Sequence, residues 1–235
     1  MVNKIALVTG ASRGIGKAIV GKLLKSGAIV CATARNVDGL EELRSDFSQH
    51  KKNLHFFSCD LSCSADVNNL CESVSKEIGD IDILINNAGI LHLESLENST
   101  EELLRTSFEV NVFAPFALTR YFSQSMINKR QGIIINVCSS SSYTGGGAPK
   151  HCIYASTKHA LLGFSRALDE ELRSHNIRVG TVSPAGVSTD MMLSRTDLDH
   201  SSFMTADEVA DAVMFMLNSN GEGIVYEMRM WRKSR

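Results

Sequence analysis

The amino-acid sequence predicts an α/β protein built on a doubly wound, mostly parallel sheet with helices on both faces. Three observations carry that expectation. Strand-like apolar runs alternate with helical segments through six rounds. The first run, Ile5–Val8, is continuously apolar, as in a strand buried on both faces. Glycines and small polar residues follow several runs, at the strand ends that line the ligand crevice of a parallel sheet.

After Ile5–Val8 comes Thr9-Gly10-Ala11-Ser12-Arg13-Gly14-Ile15-Gly16, then a helix with apolar positions Ile15, Ala18, Ile19, Leu23 and Leu24. Strand, glycine-rich turn and helix together form the setting of a dinucleotide site. Gly10 permits the tight turn, Gly14 lets the backbone approach a pyrophosphate, and Gly16 lets the helix pack closely on the strand. The helix N-terminus offers N–H donors and a positive dipole end to the phosphates. The spacing is G-x-x-x-G-x-G rather than G-x-G-x-x-G.

A second strand, Ile29–Ala34, ends at Arg35-Asn36. An acidic residue at this tip would accept from a ribose 2′-OH and repel a 2′-phosphate. Here Arg35 stands at the tip and Arg13 in the glycine turn, and guanidiniums grip phosphate bidentately. The expected cofactor is therefore NADP(H) rather than NAD(H).

Leu54–Ser58 reads as the third strand, ending in Cys59-Asp60-Leu61, and a helix follows over Val67–Ile78. Ile81–Ile85 is the fourth strand and runs into Asn86-Asn87-Ala88-Gly89. Ser99 and Glu102 have the spacing of a capping box for the next helix. That helix holds Asn111 in an apolar stretch and then Pro115, whose missing N–H predicts a distortion beside Asn111. The fifth strand, Ile133–Val137, leads into Cys138, the serines Ser139–Ser142 and Gly145–Gly147. A helix then extends to Leu172, and the sixth strand, Arg178–Val182, ends in Ser183-Pro184-Ala185-Gly186-Val187-Ser188-Thr189. Thr205 and Glu208 cap a helix through Leu217, and Ile224–Arg229 reads as the last strand. With no linker or repeat, residues 1–235 read as a single domain.

The chemistry is expected at Tyr154-Ala155-Ser156-Thr157-Lys158. Residues four apart share a helix face, so a phenol and an ammonium stand side by side there. A free phenol titrates near ~10; a neighbouring cation favours the phenolate and lowers that value. Tyr154 is thus a candidate general acid/base.

Composition narrows the alternatives. A formal charge of −2 with interspersed signs lacks the basic footprint of a nucleic-acid binder. No apolar run reaches membrane-spanning length, and Met1–Lys4 leads straight into a strand, so neither a membrane protein nor a signal peptide is expected. Six cysteines show no Cys-x-x-Cys pair and no zinc spacing with the seven histidines, so no metal is expected and a reduced, cytoplasmic setting is. The basic tail from Arg229 to Arg235 reads as a solvated terminus.

Taken together, Thr9-Gly10…Gly14-x-Gly16, Asp60, Asn86-Asn87-Ala88-Gly89, Asn111, a serine after the fifth strand, Tyr154-x-x-x-Lys158 and a Pro…Thr segment resemble the short-chain dehydrogenase/reductase family over nearly the whole chain. The resemblance implies a seven-stranded Rossmann-type sheet, NADP(H), a small-molecule carbonyl or alcohol substrate, and a homodimer or homotetramer. It implies that Tyr154 is the general acid in ketone reduction and the base in alcohol oxidation, while Lys158 holds the nicotinamide ribose and lowers the Tyr154 pKa. It gives a serine the role of holding the substrate oxygen: strand register points to Ser139, counting back from Tyr154 points to Ser141, and Ser139 is preferred. Asn111 is implied to hold a water of the proton relay. The cofactor set is implied to comprise Gly10, Ser12, Arg13, Gly14, Ile15, Gly16, Arg35, Asp60, Leu61, Asn87, Ala88, Gly89, Tyr154, Lys158, Pro184, Val187 and Thr189. Pro184-Ala185-Gly186 departs from the family's usual Pro-Gly by displacing the glycine one place.

The substrate pocket is expected from Leu91–Leu93, Ser140–Cys152 and Asp190–Thr205, with Met191, Met192 and Leu193 as adaptable lining and His92 and His151 as candidate contacts. Two other readings remain: a reductase of 3-oxoacyl thioesters on a carrier protein, to which the motif set is also similar, and a non-catalytic NADP(H) sensor or scaffold. Retention of Tyr154, Lys158 and Asn111 counts against the sensor.

Overall fold

The computed structural model describes residues 1–144, 149–193, 203–219, 221 and 223–232. The chain begins β1 (Ile5–Thr9), α1 (Gly14–Lys25), β2 (Ile29–Ala34), α2 (Val37–Asp46) and β3 (Leu54–Ser58). It continues through α3 (Ser64–Glu77), β4 (Ile83–Asn86) and α4 (Glu101–Phe108), then a π-type turn over Glu109–Phe113 that passes directly into α5 (Ala114–Lys129). The second half comprises β5 (Gly132–Val137), α6 (Cys152–Leu172), β6 (Ile177–Pro184), α7 (Asp190–Leu193), α8 (Ala206–Asn218) and β7 (Glu227–Met230).

Among the described residues, seven strands form one sheet in the order β3-β2-β1-β4-β5-β6-β7. Every ladder is parallel. Successive side chains of a strand point to opposite faces, and the two cores divide accordingly. Ala6 and Val8 pack with Ile19 and Leu23 of α1 and Val209 and Val213 of α8. Leu7 between them faces the other way, into a cluster with Val67, Leu70 and Val74 of α3 and Leu118 and Phe122 of α5. Strand order reverses between β1 and β4, the switch point where a crevice opens beyond the strand C-termini.

The distortion anticipated beside Asn111 is present. The helical path widens over Glu109–Phe113 with Asn111 fully buried, and Pro115 falls in the first turn of α5, where its missing N–H costs least.

Three expectations need correction. The helix after Asn98 is capped by Thr100, whose hydroxyl accepts from the Leu103 N–H at 3.2 Å, while the Ser99 hydroxyl donates to the Ser95 carbonyl. The Ser99/Glu102 capping box does not form there, whereas that of Thr205 and Glu208 does. The last strand begins at Glu227, because its ladder starts at Thr181↔Glu227, and it runs to Met230. Finally, the segment from Arg229 to Arg232 is not simply a solvated tail: Arg229 lies over the Tyr143 ring at 3.3 Å, and Trp231 and Arg232 reach the crevice. Residues 145–148, which include Gly145–Gly147, and residues 194–202 of the expected Asp190–Thr205 wall lie outside the described residues, as do residues 233–235 of the tail.

Candidate active site

A cleft of about 830 Å³ opens at the C-terminal ends of the strands. Its lining takes in all seventeen residues expected to hold the cofactor, together with Ser139.

At its glycine-turn end the wall is main chain. Gly10 has φ +63°, and a Cβ there would lie 2.8 Å from Ala88 Cα. A Cβ on Gly16 would lie 2.1 Å from the Gly10 carbonyl oxygen. Thr9 and Asn87 join this turn to the end of β4. The Thr9 hydroxyl accepts from the N–H groups of Asn87 and Ala88, both at 3.0 Å, and the Asn87 amide donates to the carbonyls of Thr9 and Gly10 at 2.8 and 3.2 Å. Arg13 occupies the N-cap of α1 without a side-chain cap, and the first turn holds no acidic residue. That helix end is chemically ready for an anion.

Arg35 follows β2 at the rim. Opposite it, Asp60 accepts from the Ser62 N–H at 2.9 Å and the Ser62 hydroxyl at 2.7 Å. Those bonds, with the Arg35 charge adding to them, hold the Asp60 carboxyl below its ordinary pKa. Arg13 reaches across the mouth to Asp190 at 3.3 Å, an exposed and therefore weak pair.

At the other end, α6 presents Tyr154 and Lys158 to the cleft one turn apart. Lys158 is 3% exposed, donates from Nζ to the Val137 carbonyl at 3.0 Å, and lies 5.8 Å from the centroid of the Tyr154 ring. Ser139 caps a short turn over Ser140–Ser142: its hydroxyl accepts from the Ser141 N–H at 3.1 Å, and Ser142 Oγ accepts from the Ser139 N–H at 3.3 Å. Both Ser139 and Ser141 line the cleft.

Asn111 is not among the lining residues and lies beneath them. Its amide donates to the Ile90 carbonyl at 2.9 Å and to Thr157 Oγ1 at 3.0 Å, and its oxygen accepts from the Ile90 N–H at 2.9 Å. The side chain therefore ties the loop after β4 to α6 at the Tyr154 turn. Below it, Asn86 and Asn136 pair across β4 and β5 at 2.8 Å, and Asn136 donates to Ser165 of α6.

Of the substrate-wall candidates, Leu91, His151, Met191 and Met192 line the cleft. His92 is bonded to Ser107 at 3.3 Å and is not part of the lining. Phe203, from the expected Asp190–Thr205 wall, also lines it, and Trp231 and Arg232 line it without having been anticipated. Phe203 packs where a Cβ on Gly186 would lie, 2.9 Å from its ring, so the displaced glycine makes room for this aromatic. The Arg232 guanidinium stacks over Phe203 at 5.2 Å. The signal for Trp231 and Arg232 was positional: they directly follow a strand whose C-terminal end faces the crevice.

A parallel sheet with a glycine-turn cleft and a Tyr/Lys pair on the helix after β5 defines a nucleotide-dependent oxidoreductase architecture. The chain belongs to the short-chain dehydrogenase family, whose model matches residues 4–199. It is 34% identical over 233 residues to the 3-oxoacyl-(acyl-carrier-protein) reductase FabG of Escherichia coli (strain K12), covering 95% of this chain and 93% of that one. It is 30% identical to the 2,3-dihydro-2,3-dihydroxybenzoate dehydrogenase of Bacillus subtilis (strain 168), covering 92% and 89%. The X-ray structure of an alcohol dehydrogenase from the archaeon Thermococcus sibiricus, complexed with 5-hydroxy-NADP, matches with a TM-score of 0.87 at 28% identity, covering 98% of this chain and 97% of that one. Among the described residues no helix is long and apolar enough to cross a membrane, and no group of three or more His, Cys, Asp or Glu could hold a metal ion.

Proposed function

We propose that this protein is an NADP(H)-dependent oxidoreductase that interconverts a carbonyl and a secondary alcohol, with Tyr154 as general acid/base. The observation that carries the reading is the convergence of Tyr154, Lys158 and Ser139 on the cleft that also holds the glycine turn. The residues fit the cofactor: the turn leaves no room for a Cβ at Gly10 or Gly16, the N-terminus of α1 carries no side-chain cap, and Arg13 and Arg35, both lining the cleft, would be available to a 2′-phosphate. When bound, the nicotinamide supplies or accepts the hydride.

The protein's own part is to orient and to move a proton. In reduction the Tyr154 phenol gives its proton to the carbonyl oxygen, and in oxidation the phenolate takes the alcohol proton. Ser139 donates a hydrogen bond to the same oxygen as charge develops on it. The Lys158 ammonium, its position set by the Val137 carbonyl, stands beside Tyr154 and would hold the nicotinamide ribose. Asn111 holds the Tyr154 turn through Thr157 rather than touching the substrate.

The first experiment follows NADPH and NADH oxidation against 3-oxoacyl thioesters, simple ketones, aldehydes, quinones and keto-sugars, with Tyr154→Phe as control. We expect turnover with NADPH, and a kcat lower by roughly 10²–10⁴ in the variant with NADPH affinity intact. A variant that turns over like wild type sinks the assignment. Similarity to the Escherichia coli reductase favours 3-oxoacyl thioesters as the second, narrower reading, and the first arm of the panel decides it.

The continuous sheet supports reading residues 1–235 as one domain. Six free thiols fit a reducing, cytoplasmic setting. Exposed Leu104, Phe113, Phe116 and Tyr121 around α4 and α5 support a homodimer or homotetramer.

A further inference from the structure

Tyr143 lies immediately after the serine turn and is not part of the cleft lining, yet it is the most heavily tethered aromatic of that region. Its hydroxyl donates to Glu227 Oε2 at 3.0 Å. Glu227, the first residue of β7, is gripped at both oxygens by Arg166 of α6, Nε to Oε1 at 2.5 Å and Nη2 to Oε2 at 3.0 Å. The ring itself has the Arg229 guanidinium 3.3 Å from its centroid and that of Arg166 at 5.7 Å. A phenol, a carboxylate and two guanidiniums thus join the serine turn to α6 and to the C-terminal strand.

The turn has no other long side chain to hold it. Ser139, Ser140, Ser141 and Ser142 bond chiefly to one another: Ser142 N–H to the Ser139 carbonyl at 2.9 Å, Tyr143 N–H to the Ser140 carbonyl at 3.1 Å, and the two hydroxyl bonds described above. The turn is ordered by these bonds and packs on α6 and β6, and Tyr143 ties its far end to β7. The interval from Ser139 to Tyr154 also places Ser139 further from the phenol in sequence than Ser141, so its aim depends on how the intervening chain is held.

We propose that Tyr143 is a positioning residue: clamped by Glu227 and Arg166, it fixes the Ser139–Ser142 turn relative to Tyr154, so that the C-terminal strand governs the rate of the chemical step. The inference rests on the reading of Ser139 as the group that holds the substrate oxygen. Catalytic groups misplaced by small distances lose rate rather than binding, so the signature is a kcat effect without a cofactor-binding effect.

Tyr143→Phe removes one proton donor and leaves the ring beneath Arg229. We expect kcat on the best substrate of the panel to fall roughly tenfold, with the NADPH dissociation constant and the melting temperature unchanged. In hydrogen exchange, the amides of Ser141, Ser142 and Tyr143 should exchange several-fold faster in the variant, as the turn opens more often. Glu227→Gln keeps an oxygen for the phenol and should retain most of the rate, whereas Glu227→Ala should match Tyr143→Phe. Wild-type kcat in Tyr143→Phe overturns the proposal, as does unchanged exchange at those amides. So does a parallel loss of NADPH affinity, which would mark general damage. A wild-type chain that turns nothing over sinks the oxidoreductase reading and this inference with it; an active wild type with an indifferent Tyr143→Phe sinks this inference alone.

Discussion

Around Gly10 and Gly16 the cleft is walled by main chain, pinned by Thr9 and Asn87 over a few ångströms. At its other end it is walled by side chains drawn from α6, from the segment after β7 and from Phe203, with Arg232 stacked on the Phe203 ring. The first arrangement has no slack, because a backbone contact cannot repack. The second can be retuned by single substitutions while the sheet stays as it is. Relatives named for 3-oxoacyl-(acyl-carrier-protein) and for 2,3-dihydro-2,3-dihydroxybenzoate match this chain at 34% and 30% identity, as a fixed turn beside an adjustable wall allows.

The sharpest way to break that comparison is Gly16→Ala. The added carbon would sit 2.1 Å from Gly10 O and 2.6 Å from Asn87 Nδ2, and neither partner can withdraw. Overpacking of this kind costs about 1–3 kcal/mol or more, which is roughly 5- to 150-fold if it falls on NADPH affinity. Phe203→Ala at the opposite end should leave the NADPH dissociation constant alone and change KM for the carbonyl. Fluorescence titration of NADPH measures both variants. Tight binding by Gly16→Ala would show that the glycine turn yields after all.

A second pair of variants tests which arginine reads the nucleotide. Both arginines are exposed, but Arg35 stands beside Asp60, whose carboxylate is already committed to Ser62, while Arg13 is shared with Asp190. Loss of a charge-assisted bond to phosphate is worth about 1.5–3 kcal/mol, so Arg35→Ala should raise KM for NADPH roughly tenfold or more and leave NADH unchanged. Arg13→Ala should do less, since its charge is shared with the Asp190 carboxylate. Steady-state kinetics with both nucleotides gives the ranking. An Arg13 effect larger than that of Arg35 would move the 2′-phosphate toward the glycine turn.

The same contrast explains what could be read from sequence. β2 and β3 have the bounds expected from their apolar runs, and α6 ends at Leu172 as its pattern indicates. The glycine turn was legible because each residue there acts through its own backbone or its immediate neighbours. The π-type turn was legible because Pro115 announces it locally. At Ser99 and Thr100, two adjacent hydroxyls offered two registers, and the carbonyl of Ser95 captured the first. The partners of Tyr143 and the reach of Trp231 and Arg232 into the cleft could not be read, since each depends on contacts assembled only by the fold. Asn111 was legible as a polar residue beside a helix distortion, but its bonds to Ile90 and Thr157 were not.

The smallest effect concerns how tightly the two ends are closed, and the thiols report it. Burial pushes Cys31, Cys59 and Cys71 from 9.0 up to about 12. Cys138, beneath the serine turn, is raised by burial to about 11, with the Lys158 charge and the Ser142 hydroxyl pulling it back. These pKa values are raised in the folded state, so the stabilisation by neutral thiols is complete below pH 9 and is lost as pH rises through 11 and 12. Pulse alkylation with peptide mapping should therefore label the exposed Cys63 and Cys152 at pH 8 and reach the buried Cys31, Cys59, Cys71 and Cys138 only on the alkaline side. The melting temperature should fall over the same alkaline range. Labelling of any buried thiol at pH 8 would show that the packing around it opens in the folded state.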